Sequence, residues 1–317
     1  MKTKNWNQSE HFIPAKESKH ITFKEVIMRI PEGVDEAIRL SWDEQLLSKQ
    51  KELASQNIIQ EIKPYHLDKS NNPLNALYEK NQPKMWPGPV ITLKYANESP
   101  VYSSAYYETN LELEVAQTFY PFIAGLKDKK ISKLYEEQGI EKPNPALGIC
   151  TFVITTDDQL VLTVRGARTN VYPGRLYGQG GNPKFTNTNI VNHQLDEMLD
   201  EIVLAPGHVD KNSFRFYGIA EDTEELIGKP DIVGTVSAFV DSEYVMKGVS
   251  ARPMKNRPND AIGIVFVPAT EGELFDYLVK RSNVVQFCPP AHAGLLMYGD
   301  SKFGSTWSSK ALKNINS

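Results

Sequence analysis

The second half of the chain carries the clearest pattern of apolar and polar positions. Residues 147–155 are almost all apolar or β-branched, which is typical of a strand buried on both faces. A turn at Asp157 and Asp158 leads into residues 159–164, which we expect to pair back on the first strand. A glycine-rich loop follows, and residues 192–204 then form the predicted helix, which ends by a Pro-Gly pair.

Further elements are predicted on both sides of this unit. Downstream, strands are expected at 214–220, 233–240 and 262–267, and helices at 271–278 and 291–297. Upstream, strands are expected at 24–29, 90–95 and 111–115, and helices at 35–51 and 129–138. The KPNP segment at 142–145 is interpreted as a linker. We therefore predict two domains, residues 1–143 and 144–317, the second an α+β sheet with helices packed against it.

Composition narrows the classes of function. Of the 317 residues, 40% are hydrophobic, which suffices for a large buried core. A net charge of −4, without a basic stripe, argues against nucleic-acid binding. No apolar run reaches membrane-spanning length and no secretory signal is visible, so we expect a cytoplasmic protein without a membrane partner. Cys150 and Cys288 lack the spacing of a zinc site and are interpreted as buried thiols.

Three acidic residues lie close together on the predicted helix. Glu197, Asp200 and Glu201 are spaced i, i+3 and i+4, so they are about one helical turn apart. Like charges at this spacing repel, and a divalent cation would offset the repulsion. Carboxylate oxygens favour Mg²⁺ or Mn²⁺, which commonly bridge protein carboxylates to substrate phosphates. The pattern favours metal-assisted cleavage of a phosphate compound, although an acidic helix face alone is more often a solvated surface.

The strand pair, the glycine loop and this helix together resemble a Nudix hydrolase domain. The helix reads DEMLDEIVL, and its three acids match those of the R-E-apolar-x-E-E signature. Asp196 stands in place of the signature arginine, Val203 in place of its glycine, and the upstream glutamate is missing. The resemblance implies a Nudix-like α/β/α sandwich with a mixed sheet, preceded by a small N-terminal α+β domain.

Segments outside the helix resemble one Nudix subfamily, the UDP-glucose/UDP-galactose diphosphatases of animals. The similar segments keep their order over most of the chain and include 111–122, 144–148, 217–220, 263–267 and 287–289. The resemblance implies Mg²⁺-dependent hydrolysis of a UDP-sugar to UMP and a sugar 1-phosphate, with Mn²⁺ as the alternative ion. The base, the sugar and the oligomeric state are not specified by the sequence.

The acidic side chains receive the chemical roles. Glu197 and Glu201 are predicted to be catalytic and to bind the metal ion, with Asp200 as a third ligand. Glu201 could instead act as the base that takes a proton from the attacking water. His193, at the start of the helix, is interpreted as a residue of the capping region.

The loop before the helix supplies the predicted substrate contacts. Backbone groups at Gly180 and Gly181 can approach a substrate closely because glycine has no Cβ, although glycines in such a loop also serve simply to make tight turns. Arg165 and Arg168 follow the second strand and are predicted to clamp a diphosphate by bidentate hydrogen bonds. Taken alone, such arginines are more often surface residues.

Two other functions fit the same residues. A Nudix-fold module that binds nucleotide sugars but has lost catalysis would also carry a degenerate signature. A Nudix hydrolase of another nucleoside diphosphate, such as ADP-ribose, a dinucleotide or coenzyme A, is a further alternative, because base and sugar recognition depend on loop geometry.

Overall fold

The strands within the described residues form one large mixed sheet and two small sheets. The computed structural model describes residues 12–18, 20–25, 31–55, 89–96, 99–100, 110–119, 123, 125–126, 128–166, 169, 171–183, 190–222, 224, 228–252, 261–280 and 286–315. In chain order the strands are β1 (Phe12–Ser18), β2 (His20–Glu25), β3 (Pro89–Leu93), β4 (Tyr95–Ala96), β5 (Ser99–Pro100), β6 (Asn110–Phe119), β7 (Gly148–Ile154), β8 (Gln159–Arg165), β9 (Leu176–Tyr177), β10 (Arg215–Glu221), β11 (Pro230–Ser237) and β12 (Ala261–Pro268). The large sheet has the order β1-β10-β11-β7-β8-β12, and β9 pairs with β8.

Helices cover both faces of the large sheet. Those within the described ranges are α1 (Val34–Ser55), α2 (Lys129–Glu137), α3 (Ile190–Ile202), α4 (Ser242–Ala251), α5 (Glu271–Lys280), α6 (Pro289–Phe303) and α7 (Trp307–Ile315). Alternate residues of β7 point to opposite faces, as its period of two requires. Cys150 and Phe152 join a core with α5, α6 and α7, whereas Ile149 and Val153 join a second core with α3 and α4. The sheet is therefore the middle layer of a sandwich.

Strands β7 and β8 are separated over part of their length by the side chain of Gln179. The two strands pair only near their turn, through Val153 with Val161 and Ile154 with Leu160. Further along, the Gln179 side chain lies between them, where its Nε2 donates to the Val161 carbonyl at 2.9 Å and its Oε1 accepts from the Val153 amide at 3.2 Å. The amide thus replaces the missing ladder bonds and admits the glycine-rich loop into the sheet.

Residues from the first part of the chain complete one of the cores. Strands β2, β6 and β3 form a three-stranded sheet, with β2 parallel and β3 antiparallel to β6. Its buried side chains Ile21, Ile91 and Leu113 pack in the same core as α3. Strand β1 extends the large sheet by pairing with β10. The division into domains at residues 1–143 and 144–317 stays a prediction.

The predicted α+β fold with a mixed sheet is confirmed. Of the predicted strand at 24–29, residues 26–29 lie outside the described ranges. Both cysteines are free and buried, as expected. None of the helices in the described part of the chain is long and apolar enough to cross a membrane.

Phe152 anchors β7 in the core beneath α6 and is fully buried, whereas Phe239 is 64% exposed. We expect Phe152→Ala to lower the free energy of unfolding by about 3–5 kcal/mol, because the lost contacts leave a cavity. The matched control Phe239→Ala should stay within about 0.5 kcal/mol of the wild type. Urea denaturation followed by circular dichroism measures both, and equal effects would contradict the assigned core.

Burial lowers the pKa of His292, on α6, from its ordinary 6.5 to about 4. The unfolded chain therefore binds this proton at a higher pH than the folded chain does. Stability should fall as the pH drops through that window, by about 3 kcal/mol from this group alone. Urea denaturation at several pH values should show a shallower acid loss for His292→Leu than for the wild type, and parallel curves would refute this assignment.

Candidate active site

The buried surface of helix α3 carries both apolar and polar side chains. Leu195, Met198 and Ile202 pack into the core beside β7, which fixes the rotation of the helix. The helix ends at Ile202, and the next residue, Val203, has a φ of 60°, in the left-handed region that glycine favours. The guanidinium of Arg252 donates to the carbonyls of Leu199 and Asp200 in the last turn, and so stabilises the helix C-terminus.

The glycine-rich segment 178–181, called the glycine bend below, lies directly against two glutamates of α3, Glu197 and Glu201. The Gly180 amide donates to Glu201 Oε2 at 3.3 Å. A Cβ placed on Gly181 would lie 3.3 Å from Glu197 Oε1, so the bend and this carboxylate are in close contact. Glu201 is only 8% exposed, while the Glu197 side chain is 29% exposed. The structure thus brings together four of the residues singled out in the sequence.

The glycines of the bend are needed because its backbone lies against the backbone of β7, and not only because the chain turns there. A Cβ on Gly180 would lie 1.9 Å from the Ile149 carbonyl oxygen, and one on Gly178 would lie 2.8 Å from Cys150 Sγ. The Gly181 carbonyl accepts from the Ile149 amide at 3.0 Å. No side chain fits at Gly180, so the backbone of β7 and the backbone of the bend are in direct contact.

Among the described residues, the side chains of Asp200 and Arg165 make no hydrogen bond or ion pair with the glycine bend or with the two glutamates. The Asp200 side chain is exposed, and in the described part of the chain no three His, Cys, Asp or Glu side chains form a group that could hold a metal ion. Arg165 donates from Nε to the Val171 carbonyl at 3.1 Å and lies over the Tyr177 ring at 5.3 Å, so neither partner is a glutamate of α3. Arg168 lies outside the described residues. The metal and substrate roles of these three residues stay predictions.

Two buried residues of α3 were not predicted as part of the site. His193 Nε2 lies 3.8 Å from Glu197 Oε1, one turn along the helix. Gln194 is fully buried, and among the residues that the structure describes its amide oxygen and nitrogen have no hydrogen-bond partner. Gln194 precedes Glu197 by three residues and Glu201 by seven, a spacing that places all three on one helix face. That spacing is the feature of the sequence from which Gln194 could have been predicted as part of the site.

The donor set suits a hard divalent cation. Mg²⁺ and Mn²⁺ bind through oxygen, and Mg²⁺ commonly takes one or two protein carboxylates together with substrate phosphates and water. Glu197 and Glu201 provide two carboxylates on one helix face, beside backbone groups of Gly180 and Gly181. Both glutamates would therefore be the residues that hold such an ion.

Comparison with known proteins yields only distant similarities. The chain matches no protein-family model and no curated protein. Similar solved structures include DR0079 from Deinococcus radiodurans, at 12% identity over 48% of this chain and 80% of that one, with a TM-score of 0.30. A bifunctional NMN adenylyltransferase/ADP ribose pyrophosphatase from Francisella tularensis is 12% identical over 54% of this chain and 48% of its own, with a TM-score of 0.33.

A second structure of the Francisella enzyme, complexed with AMP and Mn ion, is 11% identical over 54% of this chain and 49% of its own, with a TM-score of 0.32. The chain thus spans about half the length of that enzyme. Similarity of this degree assigns no family, and the case for a function rests on the residues of the site.

Gly180→Ala tests whether the bend depends on the missing Cβ. The added methyl group would collide with the Ile149 carbonyl, so we expect the bend to shift away from β7 and the free energy of unfolding to fall by about 1–3 kcal/mol. In the control Gly272→Ala, on α5, the new Cβ meets nothing within 4 Å. That variant should be as stable as the wild type or slightly more stable. Equal thermal midpoints for the two variants would contradict the geometry.

Proposed function

We propose that the protein is a Nudix-type diphosphatase that uses a divalent cation to hydrolyse a nucleoside diphosphate sugar. The observation that carries the proposal is the contact between the glycine bend and two glutamates on one face of α3. Glu197 and Glu201 are the residues that match the first and last acids of the Nudix signature. A solvated acidic helix face would not need a backbone loop packed against it.

Val203 gives separate support. The Nudix signature has glycine at this position, and the backbone here keeps the left-handed conformation that glycine favours although the residue is valine. A β-branched residue with positive φ is uncommon and costs free energy. The chain therefore retains the backbone turn of the signature where it has lost the residue that normally makes it.

The reaction requires water to attack one phosphorus while the bridging oxygen leaves, giving a nucleoside monophosphate and a sugar 1-phosphate. A bound cation would supply charge neutralisation on the non-bridging oxygens and would lower the pKa of the attacking water. Glu197 and Glu201 would hold this ion. The Gly180 amide donates to Glu201 Oε2 at 3.3 Å. As the alternative to ion binding, Glu201 would act as the base that takes the proton from water.

The finer assignment is to UDP-glucose or UDP-galactose, with Mg²⁺ as the ion and Mn²⁺ as the alternative. It rests on the subfamily resemblance outside the helix, since the contacts of the described site do not select a base or a sugar. A panel of UDP-glucose, ADP-ribose, a dinucleotide and coenzyme A, with each ion in turn, tests it. The fastest turnover should occur with UDP-sugars.

A catalytically inactive binding module is the second candidate. The exposed position of Asp200 favours it, because only two of the three signature acids contact the glycine bend. Isothermal titration with UDP-glucose and Mg²⁺ distinguishes the candidates. Tight binding without UMP release after long incubation would select the binding module and reject the hydrolase.

Glu201→Gln should remove the negative charge while keeping the size of the side chain. We expect UMP release from UDP-glucose with Mg²⁺ to fall by about 100-fold or more, because charge at the ion and at the attacking water is lost. Glu197→Gln should act in the same direction. The matched control Asp196→Asn changes an exposed acid on the same helix and should retain wild-type turnover. Full activity of Glu201→Gln, with an unchanged circular dichroism spectrum, would refute the proposed site.

A further inference from the structure

A buried polar group lies on β9 and β11, near the glycine bend. Asp231 Oδ1 accepts a hydrogen bond from the Tyr177 hydroxyl at 2.7 Å and another from Lys229 Nζ at 2.6 Å. Tyr177 and Asp231 are buried, and the Lys229 side chain is 16% exposed. A buried carboxylate requires such donors, since an unpaired charge would be costly to remove from water.

Gly148 lets the Asp231 carboxylate reach Tyr177. Strands β7 and β11 are parallel neighbours, and Gly148 is the register partner of Asp231. A Cβ on Gly148 would lie 1.9 Å from Asp231 Oδ1 and 2.3 Å from Lys229 Nζ. The Asp231 carboxylate and the Lys229 ammonium group therefore occupy the space that a side chain at position 148 would need.

The Tyr177 hydroxyl links this group to the bend. Besides its 2.7 Å bond to Asp231, the hydroxyl oxygen lies 3.3 Å from the Ile149 carbonyl oxygen, within reach of a second and weaker hydrogen bond. The same carbonyl is the atom against which Gly180 packs, and the Ile149 amide donates to the Gly181 carbonyl at 3.0 Å. A continuous series of contacts thus runs from Asp231 to the bend and, through the Gly180 amide, to Glu201.

We propose that Tyr177 and Asp231 are positioning residues, which hold the Ile149 carbonyl in place and thereby keep the glycine bend against Glu197 and Glu201. This inference rests on the proposed function for its effect on catalysis, but not for its effect on the bend. Burial, together with the neighbouring Asp231, raises the pKa of Tyr177 well above its usual value. The hydroxyl therefore remains a donor throughout the neutral range.

The simpler interpretation is that the group only stabilises the fold. A matched residue separates the two interpretations, because the Tyr217 hydroxyl also makes a buried hydrogen bond, at 2.5 Å to Thr235 Oγ1. That bond joins β10 to β11 in the same sheet, on the far side of β11 from β7. Deleting either hydroxyl removes one buried hydrogen bond, and the bond at Tyr177 is the stronger of the two because its acceptor is a carboxylate. Only the deletion at Tyr177 acts on the Ile149 carbonyl.

The test compares Tyr177→Phe with Tyr217→Phe in the full chain. Phenylalanine keeps the ring that lies under Arg165, so only the hydroxyl is lost. Hydrogen exchange, read on peptides that cover the bend, should be about tenfold faster in Tyr177→Phe and unchanged in Tyr217→Phe. With UDP-glucose and Mg²⁺, kcat should fall by about tenfold in Tyr177→Phe with KM little changed, because the binding contacts persist while the catalytic geometry loosens.

The outcomes are separable. Faster exchange at the bend in a chain whose wild type turns over no substrate would support the positioning role and reject the diphosphatase. Unchanged exchange at the bend in Tyr177→Phe, or an equal change in Tyr217→Phe, would overturn the positioning role whatever the activity. Should Tyr177→Phe fail to fold, Lys229→Met removes the second donor to Asp231 and should also speed exchange at the bend. No change there would overturn the inference.

Discussion

The contact between the backbone of Gly180 and the Ile149 carbonyl is the constraint on which the site depends. A side chain at Gly180 would collide with that oxygen, so the bend can enter the sheet only at a residue without Cβ. Once it has entered, Gln179 takes over the hydrogen bonds that β7 and β8 would otherwise make with each other. The split between these strands is therefore filled by polar contacts and is not a defect of the sheet.

Packing on the two faces of the sheet turns this local constraint into a site. On one face, Met198 and Ile202 hold α3 at a fixed rotation, which directs Glu197 and Glu201 toward the bend. On the other face, the buried Tyr177 belongs to the core that includes α6 and α7. The bend thus lies between the two cores, and packing on both sides restricts its position.

Features that depend on residues close together in the chain could be predicted from the sequence. The strand pair and α3 follow from local periodicity, and the contact of Gly181 with Glu197 agrees with the order strand, loop, helix. Features that depend on distant register could not be predicted. Asp231 meets Tyr177 across 54 residues, and Arg165 turns to the Tyr177 ring, because β9 returns antiparallel to β8. Neither contact leaves a periodic pattern in the chain.

The acidic side chains of α3 reduce the stability of the protein as long as no ligand is bound. Glu197 and Glu201 are one turn apart, and like charges on the two would repel, the more so because Glu201 is buried and Glu197 only partly exposed. Gln194, on the same face, adds a buried amide that has no hydrogen-bond partner within the described ranges, which carries a further cost. Selection for stability alone would replace such groups with apolar ones. A cation bound to a diphosphate, as in the proposed function, would offer these residues a ligand with both positive charge and polar oxygens, beside a bend of backbone amides and carbonyls.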